Sequence, residues 1–333
     1  MIRLHITHRP FIEWRRETLG QKAIGGIALA VSILAGSTFA GFAKHLSTAL
    51  SPLSLLFVSE LLTLFFVLLS FGLIPTIKQL RHMDRTNIIA LITIALLTGV
   101  VGPFLWFAGI SGTTAINSGF FSRMEMVFML ILARIFLGEQ LTKAHISAMI
   151  AILAGIMTIS FQGFTDGLKV LPGDILIVFG ALAYGMAHIL YRRYLHNIEP
   201  QLALFMRSAF AIAIFFIVSP FIEQPFIEEI RSLPSGLIPV LLGFAFISRF
   251  LNSISYYEAI DHLAISTVSL LSALTIITSA LFAWIYLGEP LYGYHIAGGM
   301  FILLGTLLLE ILRTRPHIDP QHVEMQLKQR IPH

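Results

Sequence analysis

Residues 137–159 read LGEQLTKAHISAMIAILAGIMTI, and residues 287–309 read LGEPLYGYHIAGGMFILLGTLLL. The second stretch lies 150 positions after the first, close to half of the 333-residue chain. The identical pairs are Leu137/Leu287, Gly138/Gly288, Glu139/Glu289, Leu141/Leu291, His145/His295, Ile146/Ile296, Ile152/Ile302, Leu153/Leu303 and Gly155/Gly305. Composition alone would give about two identities over such a length in so apolar a chain. The chain is therefore a duplicated half, and the fold follows from how two copies of that half are arranged.

Hydrophobic residues make up 56% of the chain and charged residues 12%, with a mean hydropathy of +0.83. Soluble domains average about 25% charged. The predicted class is an all-α integral membrane protein. A spanning helix needs about 20 apolar residues to cross ~30 Å of hydrocarbon at ~1.5 Å per residue. Ten segments qualify: 23–43, 52–74, 87–110, 114–136, 143–161, 173–194, 200–220, 235–258, 264–286 and 292–312. Short connections bearing Pro, Gly, Asn or Asp separate them, such as Ser51-Pro52, Pro172-Gly173-Asp174 and Glu199-Pro200. Residues 1–22 form a polar tail without the apolar core of a signal peptide. Residues 313–333 form a polar tail predicted to be disordered. With no cysteine, disulfides and thiol chemistry are excluded.

Orientation follows from Lys and Arg. With the N-terminus in the cytoplasm, cytoplasmic segments hold 15 of the 22 basic residues and outer loops only Lys44, Lys169 and Arg231. Both termini are predicted inside, and the net charge of +4 is a topology signal rather than a nucleic-acid footprint. Glu139 follows helix 4 and Glu289 follows helix 9, so five crossings separate the two copies. Five is odd, so the halves face opposite ways. Inverted repeats of this kind characterise secondary transporters that work by alternating access.

At this point the sequence resembles the drug/metabolite transporter superfamily, in its ten-helix EamA-like members. The resemblance runs over about residues 22–312. It rests on Ala35-Gly36-Ser37 with Lys44, Ser51-Pro52-Leu53, Phe107-Ala108-Gly109 before Thr114-Ala115, and Gly173-Asp174 with Arg192-Arg193. Tyr256-Tyr257-Glu258-Ala259 before Leu263-Ala264-Ile265-Ser266 and the paired LGE turns complete it. Where the family has a proline in helices 4 and 9, Met126 and Ile276 stand here. Where it has an arginine seven residues after the prolines opening helices 2 and 7, Ser59 and Arg207 stand here. The resemblance implies two five-helix repeats, residues 23–161 and 173–312. Helices 1, 3, 4, 6, 8 and 9 would line a central cavity, with 5 and 10 peripheral. It also implies transport of small metabolites such as amino acids or nucleobase-like compounds, mostly export, commonly proton-coupled and without a cofactor. The expected setting is a bacterial-type inner membrane, and the expected partners are a small-molecule substrate, the lipid bilayer and, through small-residue faces on helices 5 and 10, a second copy of the chain.

Ionisable groups deep in a bilayer cost about 2.5–3.5 kcal/mol each on insertion scales. Glu60, Arg123, Glu125, Arg207 and Arg249 lie well inside predicted helices. Arg123, Glu125 and Arg249 read as cavity residues that bind substrate, with Arg249 taking a carboxylate or phosphate. Glu60 and Arg207 read as a structural ion pair. Glu125, and secondarily Glu60, are candidates to carry a proton. Trp106, Tyr184 and Tyr256 are candidates for substrate stacking, against the plainer reading of packing or interfacial aromatics. His188 is a candidate polar group of the cavity. Gly138-Glu139 and Gly288-Glu289 read as turn motifs whose glutamates cap the helices that follow. Arg123 and Glu125 correspond to Ala273 and Thr275 in the second copy, so the charged pattern of helix 4 is not repeated. Motifs of zinc proteases, serine-nucleophile turns and P-loops are absent from the sequence. An intramembrane enzyme, an ATP-driven pump or a non-transporting sensor is the alternative to a secondary transporter.

Overall fold

The computed structural model describes residues 19–72, 84–138, 141–162, 170–194, 200–221, 226–263, 268 and 271–313. Glu139 and the tails 1–18 and 314–333 lie outside the described residues. The described chain is helical, without strands. Helix α1 comprises Leu19–Ser37 and Phe39–Leu46, and α2 is Pro52–Phe71. Helix α3 runs through Arg85–Leu96, Leu97–Val101 and Gly102–Ser111. Helix α4 has two pieces, Ala115–Phe121 and Met124–Phe136. Then come α5 (Lys143–Ser160), α6 (Pro172–Tyr194) and α7 (Pro200–Val218). Helix α8 comprises Leu237–Gly243, Phe244–Leu251 and Asn252–His262, followed by α9 (Thr275–Leu287) and α10 (Gly293–Arg313). Among the described residues seven helices are long and apolar enough to span a membrane. Helix α4 misses that length because it is broken, and α9 and α10 are described as shorter apolar helices.

The packing has the symmetry expected of inverted repeats. Helix α1 packs on α8 and α9, α6 packs on α3 and α4, α2 on α7, and α5 on α10. Exchanging α1–α5 with α6–α10 maps this set of contacts onto itself. The main core, with Ala43, Leu46, Phe107, Ile110, Ile152, Phe244 and Ile302, therefore joins both halves. Helices α5 and α10 meet through glycine. A Cβ on Gly298 would sit 2.6 Å from the Gly155 carbonyl oxygen, and one on Gly305 2.7 Å from that of Ala148. In lipid such close backbone approach is what drives association. Helices α5 and α10 thus turn these small faces towards each other.

Two departures from regular helix recur in both halves. Helices α3 and α8 contain π-helical segments, Leu97–Val101 and Phe244–Leu251, which end at repeat-equivalent positions. Helix α4 breaks at Ser122–Arg123 and α9 is preceded by a turn at Ala273–Leu274, although Met126 and Ile276 replace the family's prolines. Tighter i→i−3 bonds make the turns instead: Arg123 N to Phe120 O at 3.0 Å and Met126 N to Arg123 O at 3.1 Å, and Leu274 N to Leu271 O and Ile277 N to Leu274 O, both at 3.0 Å. In α4 the Ser122 hydroxyl donates to the Ser118 carbonyl at 2.6 Å, a local bond that competes with the helical ladder.

Candidate functional site

Helices α2 and α7 both open on a proline, Pro52 and Pro200, and pack on each other. Counting from those prolines, Glu60 is equivalent to Ser208 and Ser59 to Arg207. The equivalents meet: Ser208 Oγ donates to Glu60 Oε2 at 2.6 Å. Glu60 is fully buried. Its other oxygen takes the Arg249 guanidinium from α8 and lies 3.6 Å from Arg207 Nε. Arg249 also donates to Thr63 Oγ1 at 3.1 Å and to Ser59 Oγ at 3.3 Å, and its guanidinium carbon lies 6.0 Å from the Phe244 ring centroid. Every nitrogen of Arg249 thus has a partner. A buried charge without one costs several kcal/mol.

Symmetry accounts for how two arginines fit. The repeat equivalent of Arg249 is Gly99 on α3, and a Cβ there would fall 2.5 Å from the Arg207 carbonyl oxygen and 2.9 Å from its Cγ. On one side Arg249 reaches over Ser59; on the other Arg207 lies against Gly99. Each contact holds one arginine and one small residue, supplied by opposite partners.

Beside this cluster lies a cavity of about 190 Å³, lined by Phe39, Trp106, Ser122, Glu125, Ala181 and Tyr184. The break in α4 builds its floor. It frees Ser122 to accept a bond from Trp106 Nε1 at 3.0 Å, and it places Glu125 in the first turn of Met124–Phe136, where the helix dipole favours an anion. Glu125 Oε1 lies 2.8 Å from His188 Nε2 on α6. Trp106 packs edge-on against Phe39 at 4.9 Å between centroids. Tyr184 sits in the field of both Glu125 and the Glu60–Arg207–Arg249 cluster.

The structure therefore brings Trp106, Glu125 and Tyr184 together in one cavity, with His188 on Glu125. Arg249, expected in the cavity, is turned instead into the Glu60 cluster by the π-helical segment that carries it. Among the described residues α8 and α9 contribute nothing to this lining, because Phe244 of α8 fills the space against Phe39 and Phe107, at 5.1 and 6.2 Å between centroids. Tyr256 lies apart, packed with Leu29, Ala259 and Val268. Arg123 stands in the α4 break with a buried Nε that has no hydrogen-bond partner. Sequence reasoning missed Phe39, Ser122, Ser59, Thr63 and Ser208. The repeat alignment held the signal for Ser208, the equivalent of a buried glutamate.

Glu289 corrects the expectation for the LGE turns. Gly138 and Gly288 do adopt left-handed backbone, φ +68° and +69°, as helix-terminating glycines do. Yet the Glu289 carboxylate does not cap α10. It accepts from Ala115 N at 2.7 Å and Ile116 N at 2.9 Å, capping α4 of the other half. The turn points it there because α9 packs on the first piece of α4. His145 and His295 take the roles at α5 and α10: Thr142 N donates to His145 Nδ1 and Tyr292 N to His295 Nδ1, both at 3.2 Å. At the same end Lys44 Nζ donates to the Ile110 carbonyl at 2.8 Å, closing the end of α3, and Asp174 Oδ2 accepts from Leu171 N at 2.9 Å.

Comparison with known proteins places this architecture. The model of the EamA-like transporter family matches residues 23–161 and 171–311, one match on each five-helix half. An uncharacterised transporter of Bacillus subtilis, YyaM, is 23% identical over 219 residues, covering 64% of this chain and 71% of that protein. The riboflavin transporter ImpX of Fusobacterium nucleatum is 21% identical over 265 residues, 77% of this chain and 87% of that one. A crystal structure with 15% sequence identity shares the fold at a TM-score of 0.59 over 90% of this chain and 99% of the other. With both halves matched, the chain is a multi-pass membrane protein that belongs to the EamA-like transporter family.

Proposed function

We propose that the chain is a secondary active transporter that exports a small polar metabolite, such as an amino acid or a nucleobase-like compound, by alternating access and in exchange for protons. The observation that carries this reading is Glu125. It faces a central cavity walled by Phe39, Trp106 and Tyr184, in contact with His188, within a pair of inverted repeats. A carboxylate against an imidazole can pass a proton to and from a cavity as the bound solute changes its surroundings. The cavity is smaller than the ~300–1,000 Å³ of drug-sized sites, which suits a small solute with one planar or branched group.

Both termini lie in the cytoplasm of a bacterial-type inner membrane in this reading, which puts the Glu289 end outside. The cysteine-free chain makes that simple to check with single introduced cysteines and an impermeant thiol reagent. The transport step is tested in proteoliposomes, by following release of a metabolite mixture under an imposed pH gradient. Wild type responds to the gradient and Glu125→Gln loses that response. A Glu125→Gln protein that stays proton-driven at the wild-type rate refutes the coupling role.

A further inference from the structure

The five deep charges do not balance. Arg123, Arg207 and Arg249 face Glu60 and Glu125, which leaves one positive charge unmet within the bundle. An excess buried charge requires a counter-ion. Two of the arginines keep unmet donors, Arg123 and Arg207, each with a buried Nε that has no hydrogen-bond partner, and Arg207 is the one that α3 places beside Tyr184 of the cavity. Arg249 is satisfied at all three nitrogens. Glu60 Oε2 accepts from Ser208 and Oε1 from Arg249, and Arg207 comes no closer than ion-pair distance to the same Oε1. Arg207 stands off at 3.6 Å, its Nε is buried without a hydrogen-bond partner, and its side chain keeps 22% exposure.

Helix α3 shows what lies next to it. Gly99 abuts Arg207, and three residues on, Gly102 abuts the Tyr184 ring, where a Cβ would meet ring carbons at 3.1 Å. Arg207 and Tyr184 therefore pack on α3 three residues apart, within electrostatic reach of each other, and Tyr184 lines the cavity. A guanidinium with unused donors beside a phenol is a fork for a planar anion.

We propose that Arg207 and the Tyr184 hydroxyl form an anion subsite at the edge of the cavity, which takes the carboxylate of the transported molecule. Arg249 is a positioning residue: with Ser59 and Thr63 it holds Glu60, and Glu60 keeps Arg207 in place without saturating it. The substrate class is accordingly a small carboxylate-bearing metabolite, whose remaining part packs on Phe39 and Trp106. This assignment rests on the reading of the cavity as the transport site.

The test needs binding alone. Trp14 and Trp284 are replaced by Phe, leaving Trp106, which lines the cavity, as the sole tryptophan. Its fluorescence in the detergent-purified protein is titrated with phenylacetate, phenylacetamide and phenethylamine, which share a scaffold and differ in charge. Phenylacetate is expected to bind at least tenfold more tightly than the other two. Arg207→Gln is expected to erase that preference, and Arg207→Lys to keep part of it. Equal binding of the three, preference for the amine, no binding by any of them, or a carboxylate preference undiminished in Arg207→Gln overturns the assignment. Where Arg207→Gln does not fold, the order of the probes on wild type decides alone. Carboxylate preference without proton-driven transport sinks only the coupling mechanism; transport without the preference sinks only the subsite.

Discussion

Replacing Glu289 with alanine removes the one carboxylate that closes the start of α4. Ala115 and Ile116 are each only 2% exposed, so their amides lose a charged acceptor at a site that water reaches only from the neighbouring cavity lined by Ile116 and Glu289. A hydrogen bond to a charged group contributes about 1.5–3 kcal/mol net, and the two bonds share one carboxylate, so they do not add fully. The expected loss is about 2–4 kcal/mol. At ~2–4 °C per kcal/mol for chains of this order of size, the thermal midpoint in detergent falls by about 4–16 °C. Glu289→Gln keeps the turn's shape and one accepting oxygen but not the charge, and loses about half as much. Hydrogen exchange locates the effect. The amides of Ala115 and Ile116 lose protection, although they lie 174 and 173 positions from the substitution. Should protection be lost at the start of α10 instead, with Ala115 and Ile116 unchanged, the capping of one half by the other would be wrong and the local turn role right.

The Glu60 cluster makes an asymmetric prediction. Glu60→Leu leaves Arg249 buried without its carboxylate and costs about 3–5 kcal/mol, whereas Glu60→Leu with Arg249→Leu recovers part of it, as buried pairs replaced by apolar residues do, the remainder being Arg207's loss of the same carboxylate; thermal unfolding of both variants checks this, and a double mutant less stable than the single one contradicts it. Gly298→Leu forces α5 and α10 apart at the 2.6 Å approach to Gly155 and costs at least the ~1–3 kcal/mol of ordinary overpacking, read as a lowered unfolding midpoint; an unchanged midpoint contradicts that contact.

Where the sequence was sufficient, the reason is periodicity and parity. Ten apolar stretches, a repeat at 150 positions and an odd number of crossings between the copies already imply inverted halves, because a helix in hydrocarbon must satisfy its backbone internally and so declares its length. Trp106, Glu125 and Tyr184 line the cavity from helices that the family resemblance places centrally, but the same ground put Tyr256 there, and it packs instead with Leu29, Ala259 and Val268. What tertiary structure decided is which charge meets which. Arg249 was expected in the cavity, and a π-helical segment turns it onto Glu60. Glu289 was expected to cap its own neighbour, and the packing of α9 on α4 gives it another half's helix. The breaks in α4 and before α9 form without proline, from turns that only the packed chain reveals. Sequence separation sets which residues share a helix face, but a hydrogen bond depends on a few tenths of an ångström between helices. That distance is set by Gly99, Gly155 and Gly298 acting through packing rather than by any local pattern.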